Sequence, residues 1–134
     1  MQYRLDELVE WCQALEVPFD RVDENHLRVE AIPNGFLSFM NLPDGDTLCG
    51  FDEGPNHFHG EGKFMTGPDT YVVMDELEVL AAVADGTLVV VSEYREGALA
   101  DRWLIHRDEG LELKYLESGE RLVVEGRGKP NGNR

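Results

Sequence analysis

From Thr87 onward the chain carries four apolar or alternating runs, residues 87–94, 101–107, 111–116 and 121–125, with little between them. The breaks are Arg95-Glu96-Gly97, Asp108-Glu109-Gly110 and Glu117-Ser118-Gly119-Glu120, each with a glycine free to take a positive φ. A crossover between parallel strands needs a dozen or more residues, so breaks this short admit only antiparallel neighbours. The C-terminal part is therefore expected to form a four-stranded antiparallel meander.

The preceding part alternates helix and strand signals. Leu5, Leu8, Val9, Cys12 and Leu15 recur at helical spacing, with Asp6, Glu7, Glu10 and Gln13 on the other face. This predicts an amphipathic helix over residues 4–16, closed by Pro18. His26-Leu27-Arg28-Val29-Glu30-Ala31 alternates with period two and reads as a strand with one wet face. Turns at Pro33-Asn34-Gly35 and Pro43-Asp44-Gly45-Asp46 separate it from strands at 36–42 and 47–51. Residues 50–67 hold five glycines and Pro55 and read as an extended, irregular loop, expected to be more mobile than the meander. Residues 64–65 and 71–74 are apolar pieces able to add strands. Asp75 with Glu78 three residues on predicts a capping box, Leu77, Leu80, Ala81 and Ala84 make the helix stripe, and Gly86 closes it. At 134 residues the chain has apolar mass for one core. The expectation is one α+β domain over residues 1–125, with two helices packed on a curved antiparallel sheet, followed by a disordered tail at 126–134.

Charge narrows the function. The formal net charge is −15, and between Val29 and Tyr94 a single base, Lys63, stands among many carboxylates. Such a field attracts positive partners and repels phosphate, so neither nucleic acid nor an anionic membrane surface is expected to bind. Asp75, Glu76 and Glu78 complement a helix N-terminus and are set aside as structural. Asp44, Asp46, Asp52, Glu53, Glu61 and Asp69 are then the candidate contacts for a basic protein partner, with Phe58 and Tyr71 as apolar anchors. The first residues lack a basic patch leading into an apolar core, and no apolar run approaches membrane-spanning length, so a cytoplasmic protein is expected. Cys12 and Cys49 show no motif spacing and read as buried free thiols.

Catalytic chemistry finds little support. Ser38, Ser92 and Ser118 lie in no nucleophile-elbow context, and no phosphate-binding glycine loop ends in Lys-Ser/Thr. His57-Phe58-His59-Gly60-Glu61 would place 57, 59 and 61 on one side of an extended segment, as a cation bound by two imidazoles and a carboxylate requires. This partly resembles the first metal-binding motif of the cupins, but a cupin's Glu follows its second His by four or five positions, and no second motif surrounds His106. A small metal-dependent enzyme using His57, His59 and Glu61 is thus an alternative. The main expectation is no enzyme, no metal centre and no cofactor.

In charge, size and order of elements the chain resembles the small acidic immunity proteins that bacteria encode beside toxins. The likeness runs through His57-Phe58-His59, the helix after Asp75 and the strands up to Trp103. It implies a stoichiometric inhibitor that covers the active site of a basic toxin or effector enzyme. A second binding alternative is an acidic secretion chaperone, normally a dimer with an apolar groove.

Overall fold

The apolar stripe of the N-terminal segment winds into helix α1 (Leu5–Leu15), burying Leu5, Leu8 and Cys12. Glu16 ends it in the left-handed conformation, at φ 59°, and the Val17 amide closes the last turn onto the Cys12 carbonyl. The structure, a computed structural model, describes residues 2–109 and 119–127.

Five strands follow in sequence order in one antiparallel sheet: β1 (Phe19–Asp23), β2 (His26–Ile32), β3 (Gly35–Asn41), β4 (Thr47–Phe51) and β5 (His57–Phe58). The alternation of β2 is real: Leu27, Val29 and Ala31 are buried, while His26, Arg28 and Glu30 are half-exposed. Strand β1 has no counterpart in the sequence expectation, because its Val22 is exposed and its acids leave no buried face to see. It is defined by pairing with β2, Phe19 opposite Val29.

The segment 50–67 is more structured than its glycines suggest. It contains β5 and then β6 (Gly62–Met65), which pairs with β7 (Tyr71–Met74) as a separate two-stranded ribbon. Its turn is also pinned: the Gly60 amide donates to Thr47 Oγ1 at 2.7 Å, and the Tyr3 hydroxyl donates to the Gly60 carbonyl at 2.7 Å.

Helix α2 (Glu76–Asp85) begins with the expected capping box. Asp75 accepts from the Glu78 amide at 2.8 Å, the Asp75 amide donates back to Glu78 Oε1 at 2.9 Å, and Gly86 ends the helix at φ 84°. Strands β8 (Leu88–Arg95), β9 (Ala98–His106) and β10 (Glu120–Glu125) form the last sheet. Glu96 and Gly97, both at positive φ, make the two-residue turn between β8 and β9.

The expected four-stranded meander is corrected here. Among the described residues the sheet has three strands in the order β10-β8-β9, and the run 111–116 lies outside the described residues. β8 takes the centre because Leu88, Val90, Val91 and Ser92 are all buried, so both of its faces are covered. The protein is an α+β fold. The helices pack on each other, with α1 also against β2 and α2 also against β7 and β8. One apolar core runs through these elements, from Leu8, Leu27 and Phe39 to Leu80, Leu88 and Val90. Of the expected tail, Gly126 and Arg127 are described, and the Arg127 guanidinium donates to the Glu30 carbonyl at 3.1 Å. Residues 128–134 lie outside the described set.

Candidate functional site

Arginines from outside the acidic stretch neutralise much of what Lys63 cannot. Glu30 pairs with Arg127, Asp52 with Arg28 at 2.7 Å, Glu53 with Arg102 at 3.2 Å, Asp75 and Glu76 with Arg4, and Glu93 with Arg95. The fold therefore divides the candidate contacts into two groups.

Asp52 and Glu53 follow β4 at one of its ends. Arg28 stacks over the Phe36 ring and reaches Asp52, so that carboxylate is engaged at the surface. Glu53 belongs to a buried polar node that the sequence reading missed. Arg102, 6% exposed, donates to Ser92 Oγ, to the Asn34 carbonyl and to Glu53. Its neighbour Asp101 accepts from the Asn56 backbone and side-chain amides and from the Arg102 amide. The only hint in the sequence was an Asp-Arg pair inside an otherwise apolar run; a buried charge that is kept needs partners.

Asp44 and Asp46 precede β4 at its other end, about 20 Å from Asp52 at the usual rise per residue. Both carboxylates shape the turn, Asp44 accepting from the Asp46 amide and Asp46 from the Thr47 amide. His59 sits beside them. Its Nδ1–H donates to the Thr47 carbonyl and lies 3.4 Å from Asp46 Oδ2. Glu61 and Asp69 are exposed and make no ion pair among the described residues. Asp44, Asp46, Glu61 and Asp69 are thus the candidates that pair with no arginine among the described residues.

The two expected anchors separate. Phe58 is half-buried, its ring edge-on to Phe64 at 5.9 Å, and packs on the core. Tyr71 is 54% exposed, and Val72 and Val73 beside it are 37% and 48% exposed. The β6–β7 ribbon therefore presents three consecutive large apolar residues, with Asp69 at its tip and Glu61 at its base.

His57 and His59 meet edge-to-face with ring centroids 5.0 Å apart. His57 Nδ1–H donates to the Pro55 carbonyl at 2.8 Å. Among the described residues no three His, Cys, Asp or Glu side chains are grouped to hold a metal ion, so Glu61 does not join the two imidazoles. A cavity of about 250 Å³ lies beside this segment, walled by Leu37, Phe51, Phe58, Phe64 and Trp103. Its polar lining includes Asn56, His57 and Lys63, and no carboxylate among the described residues lines it, so it offers no acid–base pair of carboxylates. Ser38 Oγ lies 2.8 Å from His26 Nε2, but Ser38 is 4% exposed and out of reach of a substrate. Both cysteines are free and buried; burial pushes the Cys12 thiol up to about 11 against the opposing effect of Arg127, and pushes Cys49 well above its ordinary range. Neither offers a thiolate nucleophile near neutral pH. No helix of the described residues is long and apolar enough to cross a membrane.

No protein-family model, curated protein or solved structure matches this chain.

Proposed function

We propose that this chain is an immunity-type protein, not an enzyme, that binds a basic toxin or effector enzyme in the cytoplasm and blocks its active site. The observation that carries the reading is the β6–β7 ribbon, where exposed Tyr71, Val72 and Val73 lie between Asp69 and Glu61, carboxylates that pair with no arginine among the described residues. Aromatic and aliphatic anchors inside a charged rim are the ordinary anatomy of a protein interface. The remaining net charge would steer a cationic enzyme onto them, raising the association rate by roughly 10 to 10³.

The test is co-expression with any basic toxin or effector enzyme that a neighbouring reading frame encodes, followed by binding kinetics on the purified pair. Growth rescue and a complex whose association slows with salt are expected, with dissociation changing less. Asp44→Asn, Asp46→Asn, Glu61→Gln and Asp69→Asn together should slow association and flatten its salt dependence. The amide side chains keep the turn acceptors at 44 and 46. Asp52 and Glu53 are left alone, since removing Glu53 would strip a partner from buried Arg102. Glu10→Gln with Glu125→Gln serves as the control and should change little. No rescue and no complex would sink the proposal; a complex without inhibition would point to the chaperone alternative.

A further inference from the structure

Among the described residues, strand β7 has a neighbour on one side only. β6 and β7 form a two-stranded ribbon, and no other strand of the described residues pairs with either. The register gives the direction of every backbone group. The Thr66 amide donates to the Thr70 carbonyl, so 66 and 70 form a hydrogen-bonded pair. By alternation Phe64 with Val72 and Gly62 with Met74 are hydrogen-bonded pairs as well, while Met65 opposite Tyr71 and Lys63 opposite Val73 are not. The N–H and C=O groups of Tyr71 and Val73 therefore point away from β6, along the open edge. Their side chains are also the most exposed of the strand, 54% and 48%. An apolar edge with free backbone groups is a template for one more strand, and proteins normally blunt such edges with charge, proline or bulges. Tyr71-Val72-Val73-Met74 itself carries none of these, and the one charge laid on it is Lys63 of β6, whose Nζ lies 4.3 Å from the centre of the Tyr71 ring.

Charge decides what the added strand is. Asp69 lies before β7 and Asp75 directly after it. Asp75 shares the Arg4 guanidinium with Glu7 and Glu76, one cation among three carboxylates, so that end stays negative. A second copy pairing antiparallel through its own β7 would set Asp69 of one copy near Asp75 of the other, with a charge of −15 on each chain. Like charges at both ends oppose that pairing.

We infer that β7 is the docking edge for an extended segment of a basic partner, which adds as a strand beside Tyr71 and Val73 and places lysine or arginine at the Asp69 and Asp75 ends. This rests on the function proposed above and specifies the contact: main-chain bonds supply affinity and the flanking acids select a cationic strand.

The test titrates the full isotope-labelled chain with a short acetylated peptide of alternating lysine and valine, reading amide exchange residue by residue. Protection is expected to rise at the Tyr71 and Val73 amides and to stay unchanged at Val72 and Met74, which already face β6. Val73→Pro removes one outward donor without touching the β6 ladder and should weaken peptide binding about tenfold. Asp69→Asn keeps every β7 donor, removes a flanking carboxylate that makes no ion pair among the described residues, and should weaken it by charge alone. If the peptide perturbs only the 44–46 turn, or protects all four β7 amides alike, the edge inference falls while the acidic-surface reading stands. If no amide responds, both fall. A concentration-dependent dimer protected at Tyr71 and Val73 without peptide would overturn the choice of occupant.

Discussion

Glu76 is the residue on which the two ends of the N-terminal half meet. Its side chain is 1% exposed, and it accepts from the Arg4 backbone amide at 2.8 Å and from Arg4 Nε at 3.1 Å. Burial pushes the carboxyl up, but the Arg4 hydrogen bonds and charge together outweigh it and hold the pKa below the ordinary value. A group depressed in the fold contributes stability at pH above its ordinary range, and the contribution is lost as pH falls through the lower, folded value. Glu76→Gln should thus destabilise the protein by about 2 kcal/mol at neutral pH, the scale of a buried hydrogen bond to a charge. The difference should vanish in acid, where the wild-type carboxyl is itself protonated. Urea unfolding of both proteins across that pH range checks this; a deficit that persists undiminished in acid would show that packing, not the charge, holds α1 to α2.

At the scale of elements, the ends of α2 and the β8–β9 turn are legible locally. The capping box at Asp75 and the closing Gly86 mark α2 because each satisfies the helix end within a few residues. The β8–β9 hairpin follows from Glu96-Gly97 for the same reason. What depended on distant partners was not legible. Nothing within residues 19–23 reveals β1, and nothing in the order of runs says that β10 returns to the far edge of β8. The candidate site divided similarly: Tyr71 and Asp69 stayed exposed, whereas Asp52 and Glu53 met arginines from elsewhere in the chain. The glycine segment shows how a loop composition can hide a specific contact. Gly54 sits at φ 81°, and a Cβ there would fall 2.5 Å from Asp101 Cα, in the node around Arg102. Gly45 has a similar φ of 91° but open space around it. Both alanine variants carry the left-handed strain of about 1–3 kcal/mol. Gly54→Ala should cost clearly more than Gly45→Ala in thermal unfolding, because backbone atoms must also move. Equal losses would mean that the 52–56 turn yields freely and that the Asp101 node does not fix it.

For the whole molecule, the short ion pairs and the long-range field respond to salt differently, and the balance predicts the sign of its effect on stability. Glu53–Arg102 and Glu76–Arg4 are separated by 3.2 and 3.1 Å and are partly buried, so mobile ions enter them poorly. The rest of the field is predominantly negative, the chain's net charge being −15. Repulsion between such charges opposes the compact state and acts over about 8 Å at physiological salt, shrinking to about 3 Å at 1 M. Added salt should remove the repulsion faster than it weakens the pairs. The melting temperature is therefore expected to rise with sodium chloride, a salt chosen over sulfate because sulfate also strengthens apolar burial. The variant neutralised at Asp44, Asp46, Glu61 and Asp69 should melt higher than the parent at low salt and gain less from added salt, since among the described residues these carboxylates have no arginine to lose. A melting temperature that falls with salt would mean that the arginine pairs outweigh the repulsion. In that case the same four acids would cost the free protein nothing, and their exposure could not be explained as stability given up to hold a field ready for a cationic partner.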